Sequence, residues 1–415
     1  MATKILRKTP LYDIHVRLQG KLVDYANFSM PVLYTQIQPH IASHEWVRNS
    51  SGLFDVSHML QHKISGKDAL SFLSKVTPTD FGALKAGQSH LSVLLNDKGG
   101  VVDDTIITKY ANDEFYMVTN AGCIDKDLEF LKKQMDLFQD GNHDVQHQSF
   151  NQDTSSLIAL QGPKSAEVLQ KIFPSIDLSK LLFTDSAFFK INSGYNKETT
   201  VFTADSTPIL KFDDVFFKES NHSIIHISRC GYTGEDGFEI SIPNPELANY
   251  IAELLLSQET VKPIGLAARD SLRLEAGLCL YGHELSESIT PVEAGLNWLI
   301  RKDFDNSQYN GKSTIIGQLK KEIPVTKRRA GFIVTDKSPA AREETKIYNI
   351  KDENSQIGIV TSGSYSPTLK KNIGLAYITP PFNKRDTNIF LEIRNKKRVG
   401  QIVKVPFVTP NYYRG

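Results

Sequence analysis

Along Ser89–Asn120 the apolar and polar positions predict paired strands. "VVDDTIITKY" and "EFYMVTN" are rich in β-branched and aromatic residues, with the polar turn Ala111–Glu114 between them. The period then changes. Ile124, Leu128, Leu131, Met135 and Phe138 recur at steps of four and three with Lys and Asp between them, which is one apolar face of a helix. "SSLIALQG" predicts a further strand, and a helical pattern follows Pro163 through Ile172. Residues 222–242 read as two strands around a Gly-rich turn, and 246–256 as an apolar-periodic helix. "GLAARDSLRLEA", Gly265 to Ala276, has strong helix formers and no Pro.

Between 303 and 330 the chain is polar, charged and interrupted by Pro, as a linker or boundary loop would be. Beyond it "AGFIVT", "QIGIVTSG", "IGLAYI", "IFLEIRN" and "QIVKVPFV" follow at close spacing. That pattern predicts a small antiparallel β-barrel or sandwich as a C-terminal domain, and an α+β fold for the whole.

With 415 residues the chain is long enough for two or three domains. Its 40% hydrophobic and 23% charged residues can bury a sizeable core. The 48 basic and 47 acidic residues nearly cancel, so charge gives no support to nucleic-acid binding. Cys123, Cys230 and Cys279 are far apart and odd in number. Neither a disulfide framework nor a metal-binding spacing is indicated, and a reducing compartment is the natural reading. No apolar run approaches the ~18 residues that would insert in a membrane. Lys4, Arg7 and Lys8 without an acid fit the remnant of a basic transit peptide; on these residues alone a plain, solvated N-terminus is the simpler reading.

Several side chains are candidates for chemistry. In a strand, neighbours point to opposite faces. Asp104 shares its face with Val102, Ile106, Thr108 and Tyr110, whereas the face of Asp103 carries Thr105 and Lys109 and is more polar. Asp104 is therefore expected to be the buried carboxylate, and a buried carboxylate must be protonated, paired or used. From the strand alone, a structural acid remains the simpler reading. In "GYTGEDGFE" the glycines permit a tight turn and close approach, without a phosphate-loop ending. Glu239 follows it, either as a solvated residue of an ordinary hairpin or as an acceptor for an amino-pyrimidinone edge. Arg269 and Arg273 lie one turn apart, and Asp270 can pair with Arg273. A salt-bridged surface helix competes with an Arg that meets a ligand oxygen. His58, in "LFDVSHML", reads as a satisfied core residue. Phe188–Phe189 and Tyr412–Tyr413 read as core before they read as stacking platforms.

Taken in order, the segments resemble one family nearly end to end. They are "TPLYDIHV", "MPVLY", "GLFDVSHM", "LLNDKGGVVDDTIIT", "VTNAGC", "ALQGP", "GYTGEDGFEIS", "PIGLAARDSLRLEAGLCLYGHEL", "TPVEAGLNW", "TSGSYSPTL", "NIGLAY" and "PFVTPNYY". They resemble the aminomethyltransferases (T-proteins) of the glycine cleavage system, most of all the eukaryotic mitochondrial branch. The resemblance implies a three-domain cloverleaf around a central folate funnel: residues 8–60 and 151–300 as a discontinuous folate-binding domain, 61–150 as an inserted α/β domain, and 325–415 as a β-barrel domain. It implies tetrahydrofolate as co-substrate, no metal, and lipoylated H-protein and the other glycine cleavage components as partners. It also implies a mitochondrial matrix location and transfer of a methylene carbon to the folate with release of ammonia. Carried onto matching positions, it makes Asp104 catalytic and places Glu239, Arg269, Tyr412, Asn120 and Tyr232 at the folate. Asn27 and Phe28 stand where many relatives have Gly and Trp, Phe188 and Phe189 where some have Tyr, and the 303–330 segment is longer than in bacterial relatives. A non-catalytic folate-binding protein of the same superfamily is the alternative. A relative from iron–sulphur assembly is disfavoured because "GLCLYGHE" replaces its Cys-containing motif, and an oxidase folate domain because no flavin fingerprint precedes it.

Overall fold

The structure, a computed structural model, describes residues 5–139, 142–191, 208, 224–302 and 308–415. The parts of the sequence expectations that fall on 222–223 and 303–307 lie outside the described residues.

The first sheet has six strands in the order Ser186–Lys190, Ile224–Ser228, Gly237–Ile242, Ser156–Gln161, Ser51–Asp55 and Val261–Pro263. All pairs are antiparallel except the last. One face is covered by the helices Ser165–Ile172 and Pro245–Leu256, whose apolar positions Val168, Leu169, Ile172, Leu247, Ile251 and Leu255 join the core. The second helix starts where its sequence says it should. Asn244 accepts a hydrogen bond from Leu247 N at 2.8 Å, and Pro245 costs no hydrogen bond in the first turn.

The second sheet runs Gln88–Leu95, Val101–Ala111, Glu114–Thr119, Leu60–Ser65, Gln146–Ser149, and contains the expected hairpin. Helices Ala69–Val76 and Ile124–Gln139 cover its outer face with Phe72, Leu73, Leu131 and Met135. Its other face meets the first sheet. Tyr110, Tyr116 and Val118 pack with Phe54, Leu157, Ala159 and Phe188, and with Val47 and Leu272 from helices His40–Asn49 and Leu266–Glu275. Phe188 and Phe189 are thus core, as expected.

The barrel closes through Arg328–Val334, Lys371–Ile378, Asp352–Ser366, Lys346–Asn349, Asn388–Ile393 and Lys396–Val403. Its interior is apolar, and Leu274 of the central helix packs against Ile373 and Leu375 on it. The last strand ends at Val403, short of the Val408 that the pattern suggested.

One further expectation fails. The linker region contains the helix Lys312–Leu319, and Asn310 ties its start to the second sheet through Leu95 O at 2.9 Å. The approach is so close that a Cβ on Gly311 would fall 2.1 Å from Gly99 Cα. A polar loop was expected because these contacts are made by a polar side chain and by a glycine backbone, which apolar periodicity does not report. Of the described N-terminal residues Ile5, Arg7 and Lys8 are exposed, and the Arg7 guanidinium lies 4.5 Å from the Phe28 ring centre and donates to Gln152 at 2.8 Å. Asn27 has φ 66°, a left-handed conformation that Asn tolerates better than most residues.

Candidate active site between the two sheets

The Asp pair lies in Val101–Ala111, and its burial reverses the expectation. Asp103 is fully buried, while Asp104 is only partly so. The reason is local. A bulge opposite Leu94 and Leu95 leaves Val102 out of register, and both strand faces are covered, so the apolarity of neighbours no longer marks the inside. Asp103 faces the start of helix Ile124–Gln139, where Cys123 hydrogen-bonds to it. It is satisfied: Oδ2 accepts from Asn120 N and Oδ1 from Asn120 Nδ2, both at 2.9 Å.

The same Asn120 amide donates to Asp104 Oδ1 at 2.9 Å. Burial pushes the Asp104 carboxyl up to about 7, the Asp103 charge adds to this, Asn120 opposes it, and Glu284 raises it further. A carboxyl group poised near neutrality can exchange a proton with a bound ligand.

Tyr232 and Glu239 come from the first sheet: Tyr232 from the Gly-rich turn, Glu239 from the central strand Gly237–Ile242. Tyr232 hydroxyl donates to Cys279 O, and its ring carries the Arg269 guanidinium 4.7 Å from its centre. Its phenol is raised by burial, with Arg273, Asp104 and Arg269 among the charges that act on it. Glu239 is half-buried rather than solvated. Burial raises its carboxyl, and Arg269 pulls it down. Asp104, Asn120, Tyr232, Arg269 and Glu239 therefore form one connected group across the two sheets and the central helix. The helix is not a salt-bridged surface helix. Arg273 is buried, bonded to Asp270 at 2.9 Å and to Glu284 at 3.0 Å.

Tyr412 is held by the other side of the Gly-rich turn. Its ring stacks on Phe183 at 3.9 Å and 12°, with Arg48 and Glu235 as charged neighbours. The tail is nonetheless held. Asn411 N donates to Gly234 O at 2.8 Å and Asn411 Nδ2 to Glu235 at 3.0 Å, while Tyr413 O accepts from Phe183 N at 2.8 Å. The Tyr413 ring lies 3.9 Å from the Arg229 guanidinium, which Asp236 grips with both oxygens. Deleting Asn411–Gly415 should lower folding stability by about 1–3 kcal/mol through loss of these hydrogen bonds and the cation–π contact. A thermal melt of the truncated chain that matches the full chain would mean that the tail contributes nothing.

Sequence reasoning missed two features and misread a third. Glu284 is a buried hub that accepts from Arg273, from Leu280 N at 3.0 Å and from Thr361 Oγ1 at 2.5 Å. His58 is buried next to Arg269, but its Nδ1 has no partner, so it is not the satisfied core residue expected; burial lowers it to about 4. Asp103, Cys123 and Asp127 bring their polar atoms within 4.8 Å of one another. The only available signal for the last group was an acid in the first turn of a helix next to an acidic strand. Among the described residues no helix is long and apolar enough to cross a membrane.

The site thus lies in a mixed α+β body with a carboxylate poised near neutrality, followed by a closed C-terminal barrel. Residues 11–204 and 195–304 match the GCVT N-terminal domain, and 327–409 match the glycine cleavage T-protein C-terminal barrel domain. The chain is 48% identical over 421 residues to a Saccharomyces cerevisiae protein named aminomethyltransferase, mitochondrial, with 99% of this chain and 96% of the relative covered. It is 41% identical over 414 residues to the Pisum sativum protein of that name, with 99% and 91% covered. The crystal structure of glycine cleavage system aminomethyltransferase T from Bartonella henselae superposes with a TM-score of 0.82 at 32% identity, over 98% of this chain and 99% of that one. The chain belongs to the glycine cleavage T-protein family.

Proposed function

We infer that this chain is a mitochondrial aminomethyltransferase. It transfers the methylene carbon of an aminomethyl group to tetrahydrofolate, which the family uses as substrate, and ammonia is released. What carries the reading is full-length membership of a family whose named relatives are aminomethyltransferases. The donor is the lipoyl arm of H-protein, left as dihydrolipoyl, with the other glycine cleavage components completing the system. Residues 8–60 with 151–300, 61–150 and 325–415 act as three units around the folate.

In this reading Asp104 takes the proton from the folate nitrogen as that nitrogen forms its bond to the methylene carbon. Its negative charge steadies the positive charge developing there. Asn120 holds the carboxylate in place. Glu239 accepts from the amino edge of the pterin. Arg269, pre-oriented on Tyr232, meets a ligand oxygen with its planar fork. Tyr412 would reach this ligand only from the Phe183 side, where its stacking supports a place at the pocket rim.

The direct test is turnover. Given aminomethyl-loaded lipoyl H-protein and tetrahydrofolate, the purified chain should release ammonia and form methylene-tetrahydrofolate. Folate binding without ammonia release would instead make it a non-catalytic folate-binding member of the superfamily. Glu239→Gln and Arg269→Ala should each weaken tetrahydrofolate about tenfold or more, the worth of a hydrogen bond to a charged group, with little change in melting temperature. Fluorescence titration reads this, and unchanged affinity in both variants would remove the pocket from this place.

A further inference from the structure

Behind the Asp pair lies a buried acid that the transfer reaction does not use. Asp127, in the first turn of helix Ile124–Gln139, is fully enclosed, and neither oxygen meets an ordinary donor in bonding geometry. The group facing it is Asp103, also fully enclosed. Lys126, next in the chain, is committed elsewhere, to Val102 O at 2.5 Å and to the Tyr281 hydroxyl.

Two carboxylates in contact away from water cannot both be ionised, so one proton is held between them. The hydrogen bonds decide which side carries it. Asp103 accepts both the backbone N–H and the side-chain amide of Asn120, and the Cys123 thiol as well. Those donors stabilise an anion. Asp127 has nothing comparable beyond the Thr119 hydroxyl, which His62 Nε2 already engages at 3.0 Å. The proton belongs on Asp127.

We propose that Asp127 is a positioning residue: as a buried neutral acid it donates to Asp103, keeping Asp103 the anion that grips Asn120 and turns its amide onto Asp104. This rests on Asp104 being the proton acceptor of the transfer. The titration behaviour of the group agrees with the geometry. Burial, then the Asp103 charge, pushes Asp127 up to about 10. The anionic Asp103 in turn helps to hold Asp104 near 7. Asp127 thus acts on the base through two intermediaries, one of geometry and one of charge.

The charged and titratable groups around this chain are few enough to name. Cys123 and Lys126 flank Asp103 and Asp127. Glu284, Tyr232 and Cys279 face Asp104 from the first sheet's turn and the segment that leads to the barrel, and Arg273 of helix Leu266–Glu275 acts on Tyr232 and Cys279. His62, held neutral by burial, lies beyond Thr119.

The test is a pH titration of protein labelled with ¹³C at the aspartate carboxyl carbons, with Asp104→Asn and Asp127→Asn assigning the two signals. In the unsubstituted chain Asp127 should remain protonated at pH 7 while Asp104 titrates. Asp127→Leu removes the donor, so Asp103 takes up the proton, its charge no longer raises Asp104, and the Asp104 midpoint should fall by about one pH unit. Asp127→Asn still offers an N–H to Asp103 and should restore the midpoint. The acid limb of kcat/KM should move with the Asp104 midpoint in each protein, which a merely structural loss would not cause. An ionised Asp127 at pH 7, an unmoved Asp104 in the Leu variant, or an Asn variant as altered as the Leu variant would each overturn the proposal. The first of these is read on the unsubstituted protein, so the proposal stays testable if the Leu variant does not fold. If the titrations come out as expected but the unsubstituted chain turns over no aminomethyl donor, the transfer reading fails and the Asp127 arrangement stands.

Discussion

Asp104→Asn is expected to lower kcat/KM for aminomethyl transfer by about a hundred- to ten-thousandfold, the range for loss of a positioned general base, while tetrahydrofolate still binds. Asn keeps the shape of Asp and can still hydrogen-bond to Asn120 through its oxygen, so the wall of the site survives. What it loses is the ability to accept a proton and the charge that balances the attacking nitrogen. The pH dependence follows from the same environment. Because burial and Asp103 raise the Asp104 carboxyl to about 7, the reactive, deprotonated form is lost as pH falls through neutrality. kcat/KM should therefore show an acid limb there, well above the ordinary carboxylate range near 4. Steady-state kinetics across pH checks both points. Near-normal activity in Asp104→Asn, with a large loss in Asp103→Asn instead, would assign the base to the wrong member of the pair.

The second large effect concerns Glu275, at the end of the central helix. Its carboxylate is fully buried and receives Ser366 Oγ at 2.5 Å, Thr368 Oγ1 at 2.8 Å and Thr368 N at 3.1 Å from the barrel. His44 contributes at 3.0 Å and Arg48 at 2.9 Å from the helix packed alongside. One side chain therefore joins the barrel to helices Leu266–Glu275 and His40–Asn49. Glu275→Gln keeps the volume but leaves Arg48 and His44 facing a neutral amide. Breaking a buried ion pair from one side costs about 3–5 kcal/mol, so denaturant unfolding should shift by that amount. Burial alone would raise this carboxyl, but His44, Ser366 and Arg48 outweigh burial and lower it to about 2. A depressed carboxylate stabilises the fold above its unfolded value, about 4.3, and this contribution is lost as pH falls from there towards 2. The acid sensitivity of the unsubstituted protein in that window should be smaller in the Gln variant. Equal stabilities at neutral pH would show that the hub is dispensable.

The two expectations about the Asp pair show where sequence reasoning stopped. Strand alternation correctly set Asp103 and Asp104 on opposite faces, but it assumed that only one face is covered. Here helix Ile124–Gln139 covers one face of the strand and the first sheet covers part of the other. The more polar face is therefore the more deeply buried. Arg273 escaped for a similar reason: the i, i+3 pairing with Asp270 is visible in the sequence, but its burial depends on Glu284 and Ser362, which arrive from eleven and 89 residues away.

By itself the sequence determined the hairpin at 101–119, the helices after Ile124 and Gly265, the strand-rich C-terminal end, and, by the order of its motifs, the family. These are local matters: period, turn chemistry and helix formers act over a few residues, and ordered motifs survive without knowledge of contacts. Only the tertiary structure decided the order in which the strands of the expected barrel pair. Only it stacked Tyr412 on Phe183, set Asp127 against Asp103, and tied Asp103 and Asp104 to one Asn120 amide. Those outcomes depend on how desolvation is repaid by partners distant in the chain, and a buried charge cannot be assigned a protonation state until those partners are in place.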